Sequence, residues 1–211
     1  MDLRDPQNVG KSQNTRFINR AFTPDEQKLI SDASKQDTML WSLWAGKETA
    51  YKVISKSYPS AVSVPRSYRV SFDFAEETNK PGEFPDIDDA ITGFVDTPYG
   101  KVYIKIFITS DYVHCIGTAS TEEIDSLVWH VDRISPDSEA LPDYESMFVR
   151  KALKEHLADY IDHNPEDIEI RREKCLNGLM PPFVYISGRK ARMDISLSHD
   201  GMFTAHAFTL Q

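Results

Sequence analysis

The stretch LWSLWAGKETAYKVI at 40–54 constrains the fold more than any other part of the chain. Wound at 100° per residue, its small and apolar side chains gather on one face of a helix. We therefore predict a helix that ends before Pro59 and buries this face. The residues on the predicted core-facing side are Leu43, Gly46, Ala50, Val53 and Ile54.

The opposite face of this helix carries Trp41, Ala45, Glu48 and Lys52, with Trp44 beside them. A carboxylate and an ammonium four residues apart, among large aromatic rings, indicate a partly desolvated polar site. The alternative is an ordinary i,i+4 ion pair on a solvated surface, which stabilises a helix by only about 0.3–0.5 kcal/mol.

The C-terminal segment at 193–210 predicts a strand, a short turn at His199-Asp200-Gly201 and a second strand. Ser198 and His199 then stand at the end of the first strand, where a side chain can project into a cleft. For His206, inside the second strand, we expect a structural role.

Three blocks in this order resemble the 4′-phosphopantetheinyl transferase superfamily, in its single-repeat, holo-acyl-carrier-protein-synthase-like branch. They are RFINRAFTPDE at 16–26, WAGKETAYK at 44–52 and ISLSHD at 195–200, and the strand DIEI at 167–170 precedes the last. Thr49 stands where the family usually has alanine. In the two-repeat relatives the serine-histidine strand precedes the lysine-glutamate helix, whereas here it follows.

The resemblance implies Mg²⁺-dependent transfer of phosphopantetheine from coenzyme A to a serine of an acyl or peptidyl carrier protein. It makes Glu48 a metal ligand that helps to deprotonate that serine, directly or through water. Lys52 then neutralises phosphate charge, and Lys47, about 100° away on the helix, is a lesser contact.

The resemblance also assigns the remaining binding residues. Ser198 and His199 are implied to contact coenzyme A, and we expect Arg189 and Lys190 to reach its phosphates. The residues implied to meet the carrier protein are Arg16 and Arg20. In this branch the helix of one subunit meets the serine-histidine strand of its neighbour, which implies a homotrimer.

The N-terminus departs from the family, which places a metal-binding G-x-D on its first strand. Here the chain opens MDLRDP, without that glycine. Three explanations stay open: the natural start lies upstream, Asp2 substitutes as a metal ligand, or metal binding is impaired. The last explanation makes the chain a non-catalytic protein that binds coenzyme A or a carrier. An unrelated α+β interaction module, whose motifs match by chance, is a third possibility.

Charge and cysteine content narrow the function classes. The net charge of −9 argues against a general nucleic-acid binder. The acidity is concentrated at 57–143, with six basic and sixteen acidic side chains, whereas 171–192 holds six basic and one acidic.

No apolar run is long enough for a membrane helix and no signal peptide is evident, so we expect a cytoplasmic protein. Cys115 and Cys175 lie sixty residues apart and indicate neither a zinc site nor a disulfide framework.

Period-two alternation from Tyr68 through Val70 to Phe72 begins a predicted meander of four or five antiparallel strands, ending near 127–131. A helix at 144–161 and three strands follow. The predicted class is α+β, with helices packed on an antiparallel sheet. We expect 1–60 and 144–211 to form the transferase-like core, and 61–143 to be an inserted β-meander.

Overall fold

A computed structural model describes residues 1–73, 90–135, 143–175 and 178–210. The chain divides into two compact units, unit 1 at Met1–Asp125 and unit 2 at Ser126–Gln211. In the described ranges, no helix combines the length and the hydropathy needed to cross a membrane.

Unit 1 begins with three helices whose starts follow from the local sequence. The first, α1 (Thr15–Ala21), is capped by Asn14, whose side chain accepts the Phe17 amide at 3.0 Å. The second, α2 (Pro24–Asp32), opens with a capping box, in which Thr23 and Glu26 each accept the other's backbone N–H. The third, α3 (Gln36–Ser57), is the predicted central helix.

A four-stranded antiparallel sheet in the order β1-β2-β3-β4 completes unit 1. Its strands are β1 (Arg69–Phe72), β2 (Ile91–Thr97), β3 (Gly100–Ile108) and β4 (Val113–Thr118). Alternate residues of β3 are buried, among them Ile104, which lies against Gly46 of α3. A Cβ on that glycine would stand 3.2 Å from Ile104 Cδ1, so α3 and the sheet approach closely where the helix has no side chain.

Both faces of α3 are covered along the part that carries its two tryptophans. Trp41 is 4% exposed, and its indole Nε1 donates to the Asn8 carbonyl at 3.1 Å. The Phe17 ring of α1 lies 6.1 Å from that of Trp41 and 5.4 Å from that of Trp44. The tryptophans therefore hold the N-terminal segment and α1 onto α3, and Ala45 is buried as well.

Unit 2 contains α4 (Tyr144–Ile161), whose apolar residues Leu153 and Leu157 are fully buried together with Ile195 and Phe208. Its strands form three sheets, ordered β11-β12-β5, β10-β9-β6 and β7-β8. They are β5 (Val128–Arg133), β6 (Ile168–Arg171), β7 (Lys174–Cys175), β8 (Gly178–Leu179), β9 (Phe183–Ile186), β10 (Arg189–Lys190), β11 (Met193–Asp200) and β12 (Phe203–Leu210).

The α+β class with antiparallel sheets is confirmed, but the division of the chain differs from the expected one. The four strands β1 to β4 belong to the same unit as α3, whereas a discontinuous core with an insertion would separate them. The strand predicted near 127–131 as a fifth meander strand is β5, which pairs with β12 in unit 2. The C-terminal turn also lies later than predicted, at Gly201 and Met202, so His199 is inside β11.

Candidate functional site

Glu48 and Lys52 lie one turn apart in α3, and both are half-buried. Burial raises the pKa of Glu48 above its usual value, and the positive charge of Lys52 opposes this rise. A carboxylate that loses water without gaining a full counter-charge is stabilised by a cation. The helix therefore presents a carboxylate whose charge is only partly compensated.

Close packing on β4 fixes this part of α3. The Thr49 hydroxyl donates to the Cys115 carbonyl at 3.2 Å. Across the same contact, a Cβ on Gly117 would stand 2.9 Å from both Thr49 Cγ2 and the Tyr103 carbonyl oxygen, so only glycine fits without movement. Thr49, the departure from the family's alanine, thus bonds the helix to the strand beneath it.

The Cys115 thiol lies in this layer and is not a nucleophile. Burial raises the pKa of Cys115 to about 12, although its hydrogen bond with Thr49 and the charges of the N-terminus and Lys52 act in the opposite direction. A thiol with this pKa carries almost no thiolate near neutrality. These influences also show that the N-terminus and Lys52 both lie near the same point of β4.

Asp2 lies on an N-terminal segment that extends the sheet along β4. The Met1 ammonium donates to the Val113 carbonyl at 2.6 Å, Asp2 forms an isolated antiparallel bridge with Tyr112, and the Leu3 amide donates to the Asp111 carbonyl at 2.7 Å. Asp2 is only 3% exposed, and its Oδ1 accepts the Arg4 amide at 2.8 Å. The segment that carries Asp2 and the helix that carries Glu48 therefore both contact β4.

Proteins usually bind Mg²⁺ through one or two carboxylates together with water and substrate phosphates. In the described ranges, no group of three or more His, Cys, Asp or Glu side chains is arranged to hold a metal ion without further ligands. A site built on Asp2 and Glu48 would therefore take its remaining ligands from water and a bound pyrophosphate.

Lys47 has a structural position, and this corrects its expected contact with coenzyme A. Its side chain is 2% exposed, and its Nζ lies 2.7 and 2.8 Å from the two carboxylate oxygens of Glu26. The same ammonium donates to the carbonyls of Pro65, at 3.0 Å, and Tyr68. Burial lowers the pKa of Lys47, while the carboxylate of Glu26 opposes that shift. All these partners lie inside unit 1, so the ammonium is directed into the fold.

Glu26 is a buried structural residue that the sequence analysis did not identify. Besides Lys47, its carboxylate accepts the amide of Thr23 at 2.7 Å and that of Val70 at 2.9 Å. It therefore joins α2, α3 and β1 at a single point. Its partner Lys47 lies 21 residues away in the sequence, so no local spacing indicates the pair.

Arg16 and Arg20 are both exposed on α1, one turn apart. The remaining predicted binding residues belong to unit 2. Ser198 is half-buried and His199 exposed, at adjacent positions of β11. Arg189 and Lys190 are exposed on β10, and the Lys190 ammonium lies 3.2 Å from the centre of the Phe183 ring.

The geometry thus groups Glu48, Lys52 and the strand of Asp2 in unit 1, while the serine-histidine strand lies in unit 2. A family model described as the 4′-phosphopantetheinyl transferase superfamily matches residues 1–116, which is more than half of the chain. The match includes α1 to α3 and ends within β4, so Ser198 and His199 lie beyond it. No curated protein and no solved structure gave a match.

Proposed function

Because the chain belongs to the 4′-phosphopantetheinyl transferase superfamily, we propose that it acts as a holo-acyl-carrier-protein synthase. The proposed reaction moves 4′-phosphopantetheine from coenzyme A to a serine of an acyl or peptidyl carrier protein. The family generally uses coenzyme A and Mg²⁺. The observation that carries the proposal is that the matched segment includes Glu48, a half-buried carboxylate with a raised pKa, next to Lys52.

In the proposed reaction the serine oxygen attacks the phosphorus that is attached to pantetheine. The bond from this phosphorus to the bridging oxygen breaks, and adenosine 3′,5′-bisphosphate leaves with the bond electrons. Glu48 accepts the serine proton, directly or through water, and Lys52 offsets the charge on the phosphate oxygens. Glu48 and Asp2 would hold Mg²⁺, which supplies positive charge to the pyrophosphate.

The two substrates are assigned to different surfaces. Ser198 and His199 offer a hydroxyl and an imidazole to coenzyme A phosphates, and the exposed cations Arg189 and Lys190 add attraction for anionic groups. We place the carrier protein on the exposed pair of arginines of α1. The resemblance supports a homotrimer, in which α3 of one subunit and β11 of its neighbour supply one site.

A second candidate function is binding of coenzyme A or a carrier protein without turnover. The burial of Asp2 favours it, because a carboxylate that is 3% exposed and already accepts the Arg4 amide is less free to bind a metal ion. In this candidate function, the surfaces that bind coenzyme A or the carrier protein are retained, but phosphopantetheine is not transferred.

Mass spectrometry of an apo-carrier protein, incubated with coenzyme A, Mg²⁺ and this protein, tests the proposal. A mass gain of one phosphopantetheine, absent when EDTA replaces Mg²⁺, is the expected result. The matched control is Glu155→Gln, an exposed glutamate of α4, which should transfer at the wild-type rate. An unmodified carrier, across a panel of acyl and peptidyl carrier proteins to which the chain binds, would favour the non-catalytic candidate.

A further inference from the structure

Polar side chains are concentrated on the face of β12 that packs against α4. His206 of β12 stands directly opposite His130 of β5 on one side and Leu197 of β11 on the other. One step along, Thr204 stands opposite Asp132 of β5. Directly opposed residues in a sheet share a face, so this surface combines imidazoles, a hydroxyl and a carboxylate.

A third imidazole, from His156 of α4, closes the group. His156 Nδ1 lies 3.0 Å from His206 Nε2. The His156 ring centre is 5.3 Å from that of His206 and 6.0 Å from that of His130, and the His130 and His206 rings are 5.9 Å apart. We call these three residues the histidine cluster.

The contact between His156 and His206 limits how many protons the two rings can hold. Two imidazole nitrogens at this distance attract when one carries a hydrogen and the other a lone pair. When both rings are doubly protonated, two N–H groups and two positive charges oppose each other. The contact between His156 Nδ1 and His206 Nε2 therefore accommodates one hydrogen between the two nitrogens, but not two.

The surroundings of His206 make an additional charge costly. His206 is 2% exposed and Thr204 is 1% exposed. Within the described chain, His206 Nδ1, Thr204 Oγ1 and one carboxylate oxygen of Asp132 are buried without a hydrogen-bond partner. Burial first, and then the charges of His156 and His130, lower the pKa of His206 to about 4.

The other titratable groups near His206 come from each packed element. On β5, Asp132 Oδ1 lies 3.2 Å from His130 Nε2. On β11, His199 stands opposite Thr204, one step from His206. On α4, Asp159 and Tyr160 follow His156 by one turn, and the Tyr160 ring packs on Phe208 beside the cluster.

We propose that the histidine cluster is a proton-sensitive latch. It holds α4 against β12 while one hydrogen lies between His156 Nδ1 and His206 Nε2, and it releases α4 when both rings are doubly protonated. As pH falls below the ordinary histidine range, near 6.5, an unfolded or opened unit 2 binds a proton that the closed unit 2 does not. The closed state is therefore most stable above this pH and loses stability towards pH 4. The latch is independent of the proposed transfer reaction.

Two measurements on the intact wild-type chain test the latch. In an NMR titration of the imidazole carbons, His206 should titrate at least one pH unit below the ordinary histidine pKa of about 6.5. In hydrogen exchange, the protection of α4 amides, corrected for intrinsic rates, should fall at least tenfold between pH 7 and pH 5. Amides of α3 should change much less. Titration of His206 at the ordinary histidine pKa, or pH-independent protection of α4, would overturn the proposal.

The double variant His156→Asn/His206→Gln separates the latch from a general effect of acid. Each amide can occupy the place of the facing nitrogen, but neither side chain titrates. The pH dependence of α4 protection should drop by more than half in this variant, and His163→Gln should leave it unchanged. An undiminished pH dependence in the double variant would also overturn the proposal. Should the double variant not fold, the two wild-type measurements still decide the matter.

Discussion

Replacing Lys47 with methionine should destabilise unit 1 strongly, because the Lys47 ammonium holds buried partners inside this unit. Methionine keeps the length of the aliphatic chain and removes only the ammonium. The Glu26 carboxylate, 3% exposed, would then keep the amides of Thr23 and Val70 but lose its cation. The carbonyls of Pro65 and Tyr68 would also lose a donor.

Breaking a buried ion pair from one side typically costs about 3–5 kcal/mol, because the other charge stays buried without compensation. In a chain of this length each kcal/mol lowers the midpoint of thermal unfolding by about 2–4 °C. We therefore expect Lys47→Met to lower Tm by about 6–20 °C. The added substitution Glu26→Gln should recover part of this loss, because it removes the uncompensated charge.

Urea unfolding followed by tryptophan fluorescence measures this effect, in a Trp129→Phe background so that only Trp41 and Trp44 of unit 1 emit. The matched control is Lys52→Met in the same helix, where the ammonium is half-buried, and a change under about 1 kcal/mol is expected. A Lys47→Met protein as stable as wild type, with a raised KM for coenzyme A, would refute the structural role and restore Lys47 as a ligand contact.

Four further predictions concern the reaction. Glu48→Gln should lower kcat by at least about 100-fold with the thermal midpoint nearly unchanged, because it removes a base and an anionic ligand; full activity at saturating Mg²⁺ would contradict the assignment. The reaction requires ionised Glu48, whose pKa is raised, so kcat/KM should decline towards acid at a pH above the usual glutamate pKa of 4.5. Lys52→Met should move this decline to still higher pH, because the charge of Lys52 lowers the pKa of Glu48. A shift of the decline to lower pH would contradict the interaction between Glu48 and Lys52. Reversing Arg16 and Arg20 to glutamate should raise KM for the carrier protein far more than KM for coenzyme A, measured at several salt concentrations; equal effects would exclude a docking role. Mixing Glu48→Gln and His199→Ala chains should restore part of the activity after subunit exchange, whereas a fully active monomer by light scattering would exclude shared sites.

Several elements of unit 1 have local signals in the sequence. Thr23 and Pro24 stand at the N-cap and first position of α2, and Pro98 and Gly100 lie at the turn between β2 and β3. The 3.6-residue period identified α3, but it could not show that α1 and the N-terminal segment cover its second face. The sequence pattern placed Trp41 on the same face as the polar pair Glu48 and Lys52, whereas its ring packs inside unit 1.

The errors in unit 2 have a common physical cause. Which strand a segment joins depends on partners far along the chain, and β5 pairs with β12, which is about 75 residues later, rather than with its neighbour β4. The histidine cluster arises from the same long-range pairing, which brings residues 130, 156 and 206 together. No spacing within a short segment could indicate it. The polar pair at Glu48 and Lys52 could be predicted, because i and i+4 are neighbours in any helix.

Binding of Mn²⁺, as a paramagnetic substitute for Mg²⁺, tests the proposed carboxylate site most directly. Electron paramagnetic resonance counts free Mn²⁺ while the chain and coenzyme A are titrated together. The account predicts one site that needs both coenzyme A and the chain, and whose affinity falls at least tenfold in Glu48→Gln and in Asp2→Asn, but not in the exposed control Glu155→Gln. Equal Mn²⁺ affinity in all four proteins would contradict the assignment of Asp2 and Glu48 as metal ligands.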